Sequence, residues 1–329
     1  MENNSAKEIL EKIKNAKSIL IPLHQGPDGD SFGSCVAMKY LLERDFNKKT
    51  NVISSDNLSG EFKYFSFFNE VEFGKEIKDI NLNGFDLIIF LDHGKMDYYR
   101  DSSINFPSEN IINIDHHSTN QFFGGINYVD FSRPSACSVL IDLFKEWNVA
   151  FDWELSTRLL LGVFTDSGRF THDNGNSLRD AVFLLDNNAD YPMIVKTLSS
   201  NIPLNLKKYH ALLVDNFKIL KLGNYSVGMS SVSYDELAPL KLNLSEVRSG
   251  PNYLQEIEGI DILFTLTEME DMIKGSFRSK GDIDISLFAK ELGGGGHKHA
   301  AAFSFPRIPL KEAEKKVLDV LKKNRIHEY

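Results

Sequence analysis

Residues 23–34 read "LHQGPDGDSFGS" and place His24, Asp28 and Asp30 close together among Pro27, Gly29 and Gly33. A turn needs glycine and proline, but not an imidazole and two alternating carboxylates behind the apolar run "SILIPL" (18–23). Other places repeat the pattern. "DLIIFLDHG" ends on Asp92, "NIINIDHHSTN" on Asp115, His116 and His117, and "GVFTDSGRF" carries Asp166 between an apolar helix pattern and a glycine turn. One such acid is ordinarily a helix cap or a turn former. Several of them converging in an apolar-walled cleft would repel one another and raise their pKa values unless cations neutralised them. An oxygen-rich set with a minority of imidazoles suits manganese, or magnesium, better than zinc or copper. His24, Asp28, Asp30, Asp92, His116 and Asp166 are enough for two ions if one carboxylate bridges. The chemistry this predicts is a dinuclear metal centre.

The elements that would position these groups are legible as periodicity. Near-continuous apolar runs at 18–23, 51–54, 86–91 and 110–114 predict buried strands. Helical spacing predicts helices over 5–16, 31–44, 134–147 and 154–165, with a short one at 62–68. Strands alternating with helices predict an α/β fold with a doubly wound, mainly parallel sheet, and such sheets bind ligands beyond the carboxyl ends of their strands. Residues 177–200 read as helical until "SSNIPLN" (199–205) breaks the pattern with Pro203. The division expected is a metal-binding domain over 1–190, a linker over 191–205 and a second domain over 206–329. In that second domain 217–232 predicts two strands about a Gly-Asn turn, and 260–268 with 272–279 another pair. Helices are expected near 286–292 and 310–323, so the domain reads as a smaller α+β unit, with the active-site cleft between the two.

Composition limits the function classes. The 329 residues are 42% hydrophobic and 25% charged, as in ordinary globular proteins. A formal net charge of −9 argues against a broad grip on long nucleic acid. Cys35 and Cys137 belong to no CxxC pair, which disfavours thiolate zinc and a disulfide framework. The N-terminal stretch lacks a signal-peptide core, and no apolar run approaches the roughly 20 residues of a membrane span. The expectation is a cytoplasmic protein with no membrane partner; a homodimer is left open.

Taken in order, "HQGPDGDSFGS", "LDHG", "IDHH" and "TDSGRF" resemble the DHH phosphoesterase family, and "SFRSKGDIDISLFAKELGGGGHKHAAAF" resembles its DHH-associated domain. The resemblance spans almost the whole chain and is nearest to the stand-alone nanoRNase and phosphoadenosine-phosphate phosphatase type. It implies one ion on His24, Asp28 and Asp92, and a second on Asp30, Asp92, His116 and Asp166. His117 would then face the substrate phosphate as a catalytic group, with Asp115 orienting its neighbours. Lys95 and His93 depart from the pattern after "LD", and His93 adds a third imidazole nearby.

"ELGGGGHKHAAAF" carries Gly293 to Gly296 and then His297. One glycine is explained by a helix C-cap, but four allow backbone amides to approach an anion. Gly294, Gly295, Gly296 and His297 are therefore expected to bind substrate. Arg278 in "GSFRS" would be a phosphate fork, with Ser279 beside it and Arg248 in "EVRSG" as a further contact. The expected activity is manganese-dependent hydrolysis of short oligoribonucleotides, or removal of the 3′-phosphate from phosphoadenosine phosphate. The rivals are a cyclic dinucleotide phosphodiesterase, a long-strand exonuclease, an inorganic pyrophosphatase and a metal-bound nucleotide sensor without turnover.

Overall fold

The computed structural model describes residues 3–58, 60–96, 106–171 and 175–323. The chain divides into two compact units, residues 1–201 and 202–329. The first begins with α1 (Ala6–Asn15), β1 (Ser18–Pro22), α2 (Gly29–Phe46) and β2 (Lys49–Ser54). Two 3₁₀ turns, Phe62–Tyr64 and Ser66–Glu70, replace the single short helix that the pattern predicts there. They lead to β3 (Val71–Phe73), β4 (Leu87–Leu91), β5 (Ile111–Asp115) and β6 (Ile126–Val129). Four helices complete the unit: α3 (Ala136–Glu146), α4 (Trp153–Asp166), α5 (Asn176–Asp186) and α6 (Tyr191–Ser200).

The six strands form one sheet in the order β3-β2-β1-β4-β5-β6, and every pair is parallel. The winding reverses between β1 and β4, which makes their carboxyl ends the switch point of the sheet. Both faces are buried, so the central strands are apolar at consecutive positions. Ile19, Ile21, Ile89 and Leu91 turn to the face packed with helices. Leu20, Ile88 and Phe90 turn to a smaller core covered by the 3₁₀ turns Ile77–Asp79 and Leu82–Gly84 and by Phe106 and Phe123.

The helical pattern over 177–200 is two helices. The chain turns at Asn188, whose φ is 65°, and Asp190 recaps it by accepting a hydrogen bond from Met193 N. Residues 191–205, assigned above to a linker, therefore differ from expectation. Ile194 and Leu198 of α6 are buried in the first unit's core, and a new helix begins at Leu204.

The second unit runs α7 (Leu204–Asp215), β7 (Lys218–Leu222), β8 (Tyr225–Val232), α8 (Tyr234–Leu237) and α9 (Leu244–Leu254). It continues with β9 (Ile262–Glu268), β10 (Met272–Ser279), α10 (Ser286–Glu291), β11 (Gly295–His297), β12 (Ala300–Pro306) and α11 (Leu310–Lys323). Its sheet has the order β11-β12-β10-β9-β8-β7, antiparallel except where β8 meets β9. α10 and α11 pack on one face and α7 and α9 on the other. Among the described residues no helix is long and apolar enough to cross a membrane.

Helices α2 and α4 approach closely because glycine lines their crossing. A Cβ at Gly33 would lie 2.8 Å from the carbonyl oxygen of Arg158 and 3.0 Å from the amide nitrogen of Gly162. Backbone cannot yield as a flexible side chain does, so overpacking here costs about 1–3 kcal/mol. Gly33→Ala is expected to lower unfolding free energy in urea by that amount. Gly84→Ala, where nothing lies within 4 Å of the added atom, is the control and should be near neutral.

Candidate functional site

The groups singled out in the first unit meet at the carboxyl ends of β1, β4 and β5. β1 ends at Pro22 and delivers His24 two residues on; β4 ends at Leu91 and delivers Asp92; β5 ends at Asp115 and delivers His116 and His117. Asp28 caps α2, accepting hydrogen bonds from Asp30 N and Ser31 N at 3.1 Å, so the bland reading of that aspartate holds as well. Asp166 closes α4 and is followed by three left-handed residues, Gly168, Arg169 and Phe170. Asp92 is itself left-handed, with φ 62°, a conformation that aspartate tolerates better than most residues.

Asp92 lies between two groups. Its Oδ2 is 3.3 Å from His24 Nε2, and His24 Nε2 is 3.7 Å from Asp28 Oδ1. Its Oδ1 is 3.4 Å from His116 Nε2, which is also 3.5 Å from Asp166 Oδ2 and 3.9 Å from Asp30 Oδ2. These separations exceed the roughly 2.7–2.9 Å of a charge-assisted hydrogen bond. They lie between the ~3.0 Å of adjacent and the ~4.2 Å of opposite ligand atoms when each bonds one divalent cation at about 2.1 Å in an octahedron. Among the described residues Asp92 Oδ1 is buried without a hydrogen-bond partner. His24, Asp28 and Asp92 can converge on one ion, as can Asp30, His116 and Asp166. Asp92 reaches both groups.

The electrostatics point the same way. Burial, joined by the charges of Asp92 and Asp166, pushes Asp30 well above the usual carboxylate range. Burial also pushes Asp166 up to about 7, against the pull of His116 and with the help of Asp92 and Asp28. Burial would raise Asp92 too, but the imidazoles of His116, His24 and His117 hold it well below its ordinary value. Burial opposes charge on His24 and His116, and the surrounding carboxylates override it in both. Protein groups alone thus leave some carboxylates short of positive charge, and the residues present fit divalent cations.

His117 is built differently from His116. Its Nδ1 is 2.8 Å from Oδ1 of the fully buried Asp115, and Asp115 Oδ2 accepts from Asn120 Nδ2 at 2.6 Å. Burial opposes a charged His117, but Asp115 raises its pKa above the ordinary value. Asn120 Nδ2 also reaches Asn113 Oδ1 at 2.9 Å, and Asn113 Nδ2 donates to the carbonyl of His93 at 3.0 Å. His93 is buried with Nδ1 2.8 Å from the Leu91 carbonyl, and burial, with His24 beside it, drops its pKa to about 4.

Sequence reasoning missed several of these supports. Asp30 is held by backbone amides at the start of α3: Ala136 N donates to Oδ2 at 2.6 Å and Cys137 N to Oδ1 at 3.0 Å. Ser135 as a helix cap was the available signal, though nothing in it pointed to Asp30. Asn113 was visible as a polar residue inside an apolar strand.

In the second unit, β10 and β11 carry Arg278 and His297 to one face of the sheet, since Arg278 pairs with Ala300 and His297 with the same alanine. Arg278 Nε donates to Asn252 Oδ1 of α9 at 2.9 Å, and the charge of Arg248, also on α9, acts on Arg278. Ser279, expected beside Arg278, alternates to the opposite face, and its hydroxyl donates to the Ile283 carbonyl at 2.8 Å. Three of the four glycines answer local needs. Gly293 is the left-handed residue after α10, and Gly294 and Gly296 lie too close to β12 for a side chain. Gly295 has open space beside it.

Residues 18–163 match the DHH family, N-terminal domain, and residues 231–324 match the DHHA1 domain. The chain is 25% identical over 322 residues to the bifunctional oligoribonuclease and PAP phosphatase NrnA of Thermus thermophilus, covering 96% of this chain and 92% of that one. It is 24% identical over 327 residues to the cyclic-di-AMP phosphodiesterase PdeA of Listeria monocytogenes, covering 94% of this chain and 48% of PdeA. The fold is shared with an exopolyphosphatase-related protein from Bacteroides fragilis, at TM-score 0.82 and 22% identity over 97% of this chain and 95% of the other. With its two domains matched in order, the chain belongs to the DHH family of phosphoesterases.

Proposed function

We propose that this phosphoesterase hydrolyses short oligoribonucleotides to 5′-mononucleotides and removes the 3′-phosphate of phosphoadenosine phosphate, with two manganese ions, or magnesium, as cofactors. The observation that carries the reading is Asp92, reaching from a left-handed backbone into both groups of candidate ligands. His24, Asp28 and Asp92 would hold one ion, and Asp30, Asp92, His116 and Asp166 the other. When bound, such a pair supplies a water of lowered pKa and neutralises charge building on the phosphoryl oxygens.

The chain's own groups do the rest. The amides of Ala136 and Cys137 fix Asp30, so its carboxylate does not have to be ordered during turnover. Asp115 holds His117 by Nδ1, which sets the ring's orientation and favours the imidazolium. That imidazolium donates to a phosphate oxygen or to the departing alkoxide. Arg248, Arg278, Gly294, Gly295, Gly296 and His297 recognise the rest of the nucleotide; Ser279 shapes the loop that follows β10. The T. thermophilus relative's name supports this reading over 92% of its length, whereas PdeA, which supports the cyclic di-AMP alternative, is matched over 48% of its own.

Product analysis with manganese on pApA, phosphoadenosine phosphate, cyclic di-AMP, five-mer and twenty-mer RNA tests the proposal. The expected result is fastest release of mononucleotides from substrates of two to about five residues, because phosphates beyond a compact cationic patch add little binding. Rapid digestion of the twenty-mer would instead identify a long-strand nuclease. Asp92→Ala should abolish turnover and lower the bound-metal count measured by mass spectrometry; retention of two tight ions and a near-normal rate would remove the bridge. His117→Ala should keep its metals and lose about 10²–10⁴-fold in rate. A fall in its metal content would make His117 a ligand.

A further inference from the structure

Helix α5 carries apolar residues on two sides. Ala181 and Leu184 are buried in the first unit's core, and Asp180, on the same inward side, is buried against Arg133. Yet Leu178, Val182 and Leu185 are 50%, 58% and 44% exposed. At about 100° per residue these three fall within about 60° of one another on the outward side, as one apolar ridge. Arg179 and Asp186 lie on the other flank of Val182, about 60° and 40° round from it. Phe183, farther round that flank, is closed off by the ring of Phe151 and by Lys145 Nζ, 3.8 Å over its centroid. The outward side of α5 is thus an apolar ridge with a charged ridge beside it.

The charges run against the helix that carries them. A helix favours acids near its N-terminus and bases near its C-terminus. α5 has no acid in its first turn and no base in its last; Arg179 stands near its start and Asp186 is its final residue. Arg179 Nη1 donates to the neutral Asn176 Oδ1 at 2.9 Å, and among the described residues neither Arg179 nor Asp186 forms an ion pair.

A reversed copy of the same helix supplies what this one lacks. Leu178 and Leu185 are seven residues apart, as are Arg179 and Asp186, and both pairs are centred on Val182 to within half a residue. A two-fold axis beside Val182 that reverses the helix direction keeps each ridge on its own side. It sets Leu178 opposite Leu185 of the second copy and Arg179 opposite Asp186 of the second copy. We infer that α5 is the contact helix of a homodimer, packed antiparallel against α5 of a second copy with Val182 at the axis. Burial of the apolar ridge drives association, and the two Arg–Asp pairs at its border fix direction and partner. That border selects a second copy over an unrelated protein, because the charge pattern complements itself once reversed. The pairing is independent of the reaction proposed above.

Sedimentation velocity over about 1–100 μM chain tests it, a range suited to the affinity of a small interface. The wild type should show a reversible monomer–dimer equilibrium. Val182→Glu sets two like charges together at the axis and should weaken the dimer at least ~100-fold. Arg179→Glu and Asp186→Arg should each weaken it about 10-fold, since each places like charges opposite one another twice. Mixing those two variants should restore association, because in the mixed dimer every charge meets its opposite. Thermal melts verify that each variant folds. A wild type that stays monomeric throughout, or a dimer that survives Val182→Glu, would overturn the α5 contact. Charge variants that associate like the wild type, or that fail to recover on mixing, would overturn the antiparallel pairing.

Discussion

A carboxylate moved out of water needs compensating charge or hydrogen bonds, and at the carboxyl end of the first sheet Asp30, Asp92 and Asp115 are all buried together. The fold answers each differently. Asp30 accepts two amides from the start of α3, where the helix dipole favours negative charge. Asp115 takes His117 on one oxygen and Asn120 on the other. Asp92 is left with an oxygen that no donor among the described residues satisfies and with imidazoles on two sides. Divalent cations at the proposed metal centre would neutralise the remaining negative charge.

Much of the surrounding architecture follows from that concentration of charge. Asp30 and Asp166 come from different helices, α2 and α4, and meet only because those helices cross closely. Gly29, Gly33 and Gly162 make the approach possible, since a side chain on any of them would run into the opposing helix, Cys137 or Asp30 itself. Strain is accepted at the same place: Asp92 and the turn at 168–170 hold left-handed backbone. The second unit poses the converse problem. There Lys274 and Arg278 share a sheet face with neutral neighbours, and burial weakens their charge as it weakens that of the carboxylates in the first unit.

The parallel sheet was legible because both of its faces are buried, so its strands appear as unbroken apolar runs of the right length. β3 and β6, of three and four residues, are too short for that signal. β12 begins with three alanines, which carry little strand preference; its pairing with β10 and β11 makes it a strand. α6 read partly as a connector because "SSNIPLN" with Pro203 breaks the helical pattern just after it. Its membership of the first unit depends on Ile194 and Leu198 meeting a core built by distant residues.

At the site, residue type and order alone singled out the side chains that meet beyond the strand ends. Histidines and aspartates placed just beyond apolar runs have no cheaper explanation when they recur, and a parallel sheet gathers the ends of its strands on one side. Tertiary structure alone decided how those groups divide. That Asp92 faces both His24 and His116 follows from the adjacency of β1, β4 and β5 and from one left-handed residue. That Asp30 is held by α3, and that Lys274 shares a face with Arg278 while Ser279 does not, follows from packing and register. Local sequence sets a residue's charge and reach, but its neighbours come from segments far along the chain, and only the closed fold brings them together.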